Sequence, residues 1–263
     1  MKTISTRLFA IAALLFATSF AASAQFNLGR VIQGAVKTTK ALTLSDKDLA
    51  EYASQAVAQM DKTNTVLPED SPYTQRLRRL TVGLKEADGI PLNFKVYQTS
   101  EVNAFACPDG SVRVYTGIMD LLDDNELLGV IGHEIGHVMK HHSRKAMKNE
   151  LLQGALADAI ASADGRLAAL TDSQLGELGR AFGSAKYSRK QESEADDCGY
   201  EFLVDNGRNP WGMVMAFEKM QALESQGGSS QTYLQKMFSD HPDTAARIKK
   251  MKKRCEKDGY TRP

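Results

Sequence analysis

Two histidines four residues apart, His133 and His137, enclose the glutamate Glu134 in the run His133-Glu134-Ile135-Gly136-His137. On a helix, positions i and i+4 share a face, so both imidazoles can reach one zinc ion while the glutamate between them can take a proton from an activated water. With this chain's composition such a match would arise by chance in roughly one sequence in two hundred, which makes the motif specific before its context is weighed. The chemistry it points to is metal-assisted hydrolysis.

A catalytic zinc site takes three protein ligands and keeps a further position open, so a third ligand must exist. The astacin-like continuation would place glycine and histidine three and six residues after His137. Lys140 and Ser143 stand there, which excludes it. A glutamate from another helix is the remaining standard solution. Glu192 and Asp196 lie four apart on one helix face, so Glu192 is expected to ligate one Zn2+ per chain with His133 and His137, and Asp196 to orient a ligand histidine. Glu194 is expected to face solvent. His141 and His142 fall on other faces of the motif helix and read as solvated or supporting residues.

These residues need a scaffold. Asp123-Asp124-Asn125-Glu126 is a helix start, and Leu127, Leu128, Ile131, Ile135 and Val138 repeat at helical spacing behind it, predicting a helix that carries the motif to about Met147. Ser188 with Gln191 opens the helix of Glu192. Helices are also predicted over 45–60 and 71–86, over the Ala-rich stretch 151–169, from Thr171, from Asn209-Pro210 up to a flexible Gln226-Gly227-Gly228-Ser229-Ser230 loop, and from Asp240-His241-Pro242. Between Asn93 and Thr116 the period drops to two, with Pro108-Asp109-Gly110 as a turn, which predicts a small antiparallel sheet. The fold class is therefore α+β and mainly helical.

Hydrophobic residues at 42% and charged residues at 25% fit a globular chain, and a formal charge of +1 gives no reason to expect a nucleic-acid partner. Lys2 and Arg7, the apolar run Leu8 to Phe16 and Ala22-Ser23-Ala24 predict a cleavable signal peptide over 1–24, followed by a linker over 25–44 and one domain over 45–263. The apolar run is shorter than the roughly 20 residues of a membrane span. Export permits disulfides; of Cys107, Cys198 and Cys255, the last two are the preferred pair, against three buried free thiols.

The combination of His133-Glu134-x-x-His137, Glu192-x-x-x-Asp196, Asn103-Ala104-Phe105-Ala106 with Gly110 and Gly117, and His241-Pro242 with Arg247 resembles the zinc metallopeptidases related to CAAX prenyl endopeptidase and HtpX, in particular their soluble periplasmic, LoiP-like branch. The likeness covers roughly Asp46 to Met251. It implies a gluzincin-type peptidase domain with the small sheet at its cleft, acting as a periplasmic endopeptidase on unfolded or misfolded envelope proteins in quality control. It also implies peripheral association with the outer membrane or its assembly machinery, although this chain lacks the branch's lipoprotein cysteine. By family position His241 and Arg247 are candidate oxyanion donors, with His241 alternatively a fourth ligand that holds the enzyme latent. Asn103, Ala104 and Phe105 match the edge strand that pairs with substrate. Two other readings remain, a non-catalytic chaperone or assembly factor on the same fold, and a structural zinc protein; Glu134, which neither requires, favours the enzyme.

Overall fold

The structure, a computed structural model, describes residues 44–162, 168–226, 231–242 and 244–263. The expected signal peptide, the linker up to residue 43 and the loop 227–230 lie outside the described residues. In chain order the elements are α1 (Asp46–Thr63), α2 (Pro72–Leu80), β1 (Glu86–Ala87), β2 (Ile90–Pro91), β3 (Asn93–Tyr97), β4 (Ala104–Ala106), β5 (Ser111–Tyr115), α3 (Thr116–Leu121), α4 (Asp124–Met139), α5 (His142–Leu151), α6 (Gly154–Ser162), α7 (Asp172–Phe182), α8 (Arg189–Asp205), α9 (Trp211–Gln226), α10 (Gln231–Asp240) and α11 (Thr244–Lys257).

The helix starts sit where their capping residues put them. Ser45 with Asp48, Asp123 with Glu126, Thr171 with Gln174 and Ser188 with Gln191 each close a reciprocal capping box, which satisfies backbone N–H groups that a first turn leaves unpaired. Asn209 accepts a bond from the Trp211 N–H at 3.0 Å at the start of α9. Several boundaries differ from the sequence reading. The second helix stops at Leu80 and gives way to a turn at Gly83 (φ 88°) and the strand β1. The motif helix ends at Met139, because His141 takes a left-handed conformation (φ 57°) and a new helix begins at His142. The Ala-rich stretch is divided, with Leu151 ending α5 and α6 covering Gly154–Ser162. An unforeseen helix, α10, precedes the Asp240-His241-Pro242 segment, and the last helix starts at Thr244.

The main sheet is small and mixed, a correction to the purely antiparallel expectation. Its order is β3-β5-β4, with β3 parallel to β5 (Phe94 opposite Val112) and β4 antiparallel to β5 (Phe105 opposite Arg113). Pro108-Asp109-Gly110 makes the β4–β5 hairpin as expected, with Gly110 at φ 84°. On one side, Arg113 donates two bonds to Asp61 of α1 (2.9 and 3.0 Å), where Lys95 and Tyr97 also bond (2.8 and 2.7 Å). This partly buried network ties α1 to the sheet, and β4 forms the edge opposite β3.

α4 is buried on nearly every face, packed between α8 and α9. Its glycines allow the approach: a Cβ on Gly136 would meet the Ala195 carbonyl oxygen at 2.3 Å, and one on Gly199 of α8 would meet that of Gly132 at 2.5 Å. Backbone thus lies against backbone where α4 and α8 cross, and side chains one turn away converge.

Among the cysteines, the expected Cys198–Cys255 disulfide is absent. All three thiols are free and buried: Cys198 faces the Met139 sulfur at 3.6 Å, while Cys255 packs from α11 into the core.

Candidate metal centre

At the α4–α8 crossing, His133, His137 and Glu192 come together with His241, from the joint between α10 and α11. His133 Nε2 stands 3.1 Å from His137 Nε2, 3.4 Å from His241 Nδ1 and 3.5 Å from Glu192 Oε2. Glu192 Oε1 lies 3.4 Å from His137 Nε2 and 3.2 Å from His241 Nδ1. Four donors held tetrahedrally at about 2.0–2.1 Å from a zinc ion stand about 3.3–3.4 Å apart, so the spacing fits one ion. The charge fits as well: Glu134, Glu192 and Asp196 are three buried carboxylates facing one guanidinium, Arg247, and a dication would restore the balance.

Each donor is held in place. Asp196, fully buried, bonds His133 Nδ1 through Oδ1 at 2.9 Å, which leaves Nε2 free to ligate. Arg247 clamps Asp196 with two bonds of 2.8 Å and reaches Glu192 Oε2 with its third nitrogen. Burial opposes ionisation of Glu192, yet bonds from His137 and His241 hold its carboxyl well below the usual range. Asp196 is likewise held at about 2, against burial, by Arg247 and His133. Burial lowers His137 well below the ordinary imidazole value, keeping it neutral and able to ligate. His241 is raised despite burial, by its contact with Glu192.

Glu134 lies on the open side of this group, its Oε1 3.9 Å from His241 Nε2. Burial raises its carboxyl above the ordinary value, a direction suited to a group that must accept and return a proton. The Ala106 N–H faces the carboxyl and partly offsets that rise, so Glu134 adjoins the edge of β4. Asn103 and Cys107 bond β5 through their backbones, which turns the backbone groups of Ala104 and Ala106 the other way, toward the cleft. Across that cleft stand Tyr233, Lys236 and Met237 of α10, and the cavity between is about 20 Å³, room for little more than a water. The Asn103 side chain is turned away, donating to the Gly183 carbonyl at 3.1 Å.

The structure thus brings together His133, His137, Glu192, Asp196, Glu134, His241 and Arg247. Arg247 is spent on two carboxylates, so its position is that of a clamp behind the ligands. The sequence reading missed Tyr187, and of the two alternatives it left for His142, solvated or supporting, the structure shows the supporting one. Tyr187 stacks on His137 (centroids 3.8 Å apart, planes 25°), and His142, buried, approaches His137 Nδ1 at 3.1 Å and Glu194 at 3.2 Å. Glu194 thus reaches the site's surroundings through one oxygen, while its side chain stays 40% exposed, in keeping with the expectation that it face solvent. No spacing rule reaches Tyr187, which precedes the Ser188 cap.

Comparison with known proteins agrees with this geometry. The model of peptidase family M48 matches residues 74–255. The chain is 37% identical to metalloprotease LoiP of Escherichia coli K12 over 250 residues, covering 95% of this chain and 97% of that protein. It is 41% identical to metalloprotease YcaL of the same strain over 224 residues, 85% of this chain and 86% of that one. A more distant relative, the beta-barrel assembly-enhancing protease of the same strain, is 28% identical over 196 residues, 70% of this chain and 39% of its own.

Proposed function

The chain belongs to peptidase family M48 and is a metalloendopeptidase, and on that premise we propose that it is a zinc enzyme of the periplasm that cleaves unfolded or misfolded envelope proteins. The observation that carries the reading is the buried group of donors 3.1–3.5 Å apart with Glu134 beside it. His133, His137 and Glu192 would hold one zinc ion. When bound, the ion supplies Lewis-acid polarisation of the scissile carbonyl and lowers the pKa of the attacking water.

The remaining steps belong to the chain's own residues. Glu134 accepts the proton that the attacking water loses and returns it to the departing amine. Asp196 keeps His133 in the ligating tautomer, and Arg247 fixes Asp196 and Glu192 against each other. The edge of β4 around Asn103, Ala104 and Phe105 aligns an extended substrate, Ala104 through its outward backbone groups. Backbone pairing is indifferent to side chains, so it selects chains with free extended backbone, which unfolded proteins offer. The export signal read over 1–24 supports the compartment, and the name of one relative, the beta-barrel assembly-enhancing protease, supports the substrate class. His241 fills the fourth corner of the donor group, which supports the latent-ligand role over that of an oxyanion donor.

The deciding experiment pairs metal analysis with digestion of an unfolded protein, with and without chelator, for the wild type and Glu134→Gln. The variant should keep about one zinc per chain and lose hydrolysis by a factor of at least about 100. Wild-type cleavage by the variant, or chelator-insensitive cleavage by the wild type, would sink the mechanism.

A further inference from the structure

The two ligand histidines are supported differently. His133 meets a carboxylate directly, Asp196, at 2.9 Å. His137 meets no carboxylate on its Nδ1 side; it meets the ring of His142, Nδ1 to Nδ1, at 3.1 Å, and the far nitrogen of that ring lies 3.2 Å from Glu194 Oε2. His142 is buried, whereas Glu194 is 40% exposed and also faces Lys190 at 3.6 Å.

One proton assignment satisfies every contact. If His137 is to ligate through Nε2, its proton sits on Nδ1 and is donated to His142 Nδ1. His142 then carries its own proton on Nε2 and donates it to Glu194. Both bonds have one donor and one acceptor, and no ring nitrogen is left over. The backbone is bent to make this contact. On an unbroken helix a residue five positions after His137 would sit about 140° around the axis and face away. The left-handed His141 ends α4 and starts α5, which returns His142 to His137.

We infer that His142 and Glu194 form a two-step relay that fixes the tautomer and orientation of His137, the counterpart for this ligand of what Asp196 does for His133. The inference rests on the metal reading above. His142 and Glu194 are positioning residues: they act on the metal through His137 and touch no substrate.

The test is zinc affinity, measured by competition with a chromophoric chelator on the full chain. His142→Leu keeps bulk but removes both nitrogens, and its zinc dissociation constant should rise about 10–100-fold. His142→Asn places Oδ1 where Nδ1 stood and should recover most of that loss. Glu194→Leu should weaken binding several-fold and Glu194→Gln less, since the amide oxygen still accepts. Because the two residues act in series, His142→Leu combined with Glu194→Leu should bind no more weakly than His142→Leu alone. Wild-type affinity in His142→Leu overturns the relay, as does an Asn variant no better than the Leu variant, or additive losses in the double variant. Should His142→Leu fail to fold, the Glu194 pair decides alone, because a partly exposed side chain can be replaced without disturbing the core: equal affinity of Glu194→Leu and wild type overturns the proposal. A wild type that binds no zinc would overturn the metal reading itself, a distinguishable result.

Discussion

A histidine that completes a ring of four donors changes what the site can do. Catalysis requires a position open to water and carbonyl, and in the proposed site His241, 3.4 Å from His133 and 3.2 Å from Glu192, would occupy it. It stands on a short joint, outside regular helix, between α10 and α11, and is the most exposed member of the group, its side chain 17% accessible against 3% or less for the other three. A ligand on such a joint can leave without unfolding a helix. His241→Ala should therefore keep zinc, because three ligands remain, and should raise basal cleavage of an unfolded substrate. If the open form is about a tenth of the population, the gain is about tenfold. Steady-state assays of both proteins at equal zinc occupancy check this; a loss of activity in the variant would assign His241 to catalysis in place of closure.

Elements decide whether substrate can enter. β4 presents the outward backbone of Ala104 to a cleft that α10 narrows to about 20 Å³, so the proposed pairing of an extended chain there would require α10 to withdraw. Ala104→Pro would remove that outward N–H while sparing the bonds from Asn103 and Cys107 to β5, and edge positions tolerate proline. KM for unfolded protein should rise several-fold with zinc content unchanged; unaltered kinetics in a folded variant would place substrate elsewhere. Much of this scale was legible in the sequence, for local reasons. The capping boxes at Ser45, Thr171 and Ser188 announce their helices within four residues, and the i, i+4 spacings of His133 with His137 and Glu192 with Asp196 carry over unchanged. What was not legible depends on distant chain or on unusual backbone. The parallel pairing of β3 with β5 skips over β4, and a left-handed histidine at 141 leaves no compositional trace, so the break that turns His142 inward was invisible.

At the scale of the whole molecule the site is a seam. One core cluster holds Ile131, Ile135 and Val214, the other Tyr52, Met147 and Leu178, and β4 divides them, with Ala104 and Ala106 facing the first and Phe105 the second. The four donors come from α4, α8 and the α10–α11 joint, up to 108 residues apart along the chain. An ion bound by them would cross-link elements that otherwise meet through packing and the Arg247 clamp. Binding to the folded state alone stabilises it by about 2.7 kcal/mol at a free-ion concentration one hundred times the dissociation constant. For a domain of this size each kcal/mol moves the midpoint by about 2–4 °C. Chelation should therefore lower the Tm by about 5–10 °C without unfolding the protein at 25 °C, since Arg247 continues to pair the buried carboxylates, and added zinc should restore it. Scanning calorimetry of the full chain measures the shift, and His133→Ala combined with His137→Ala, which leaves only Glu192 and His241 of the four donors, serves as the control that should show almost none. An equal response to chelator in that variant would mean that the stabilising ion binds somewhere other than the α4–α8 crossing.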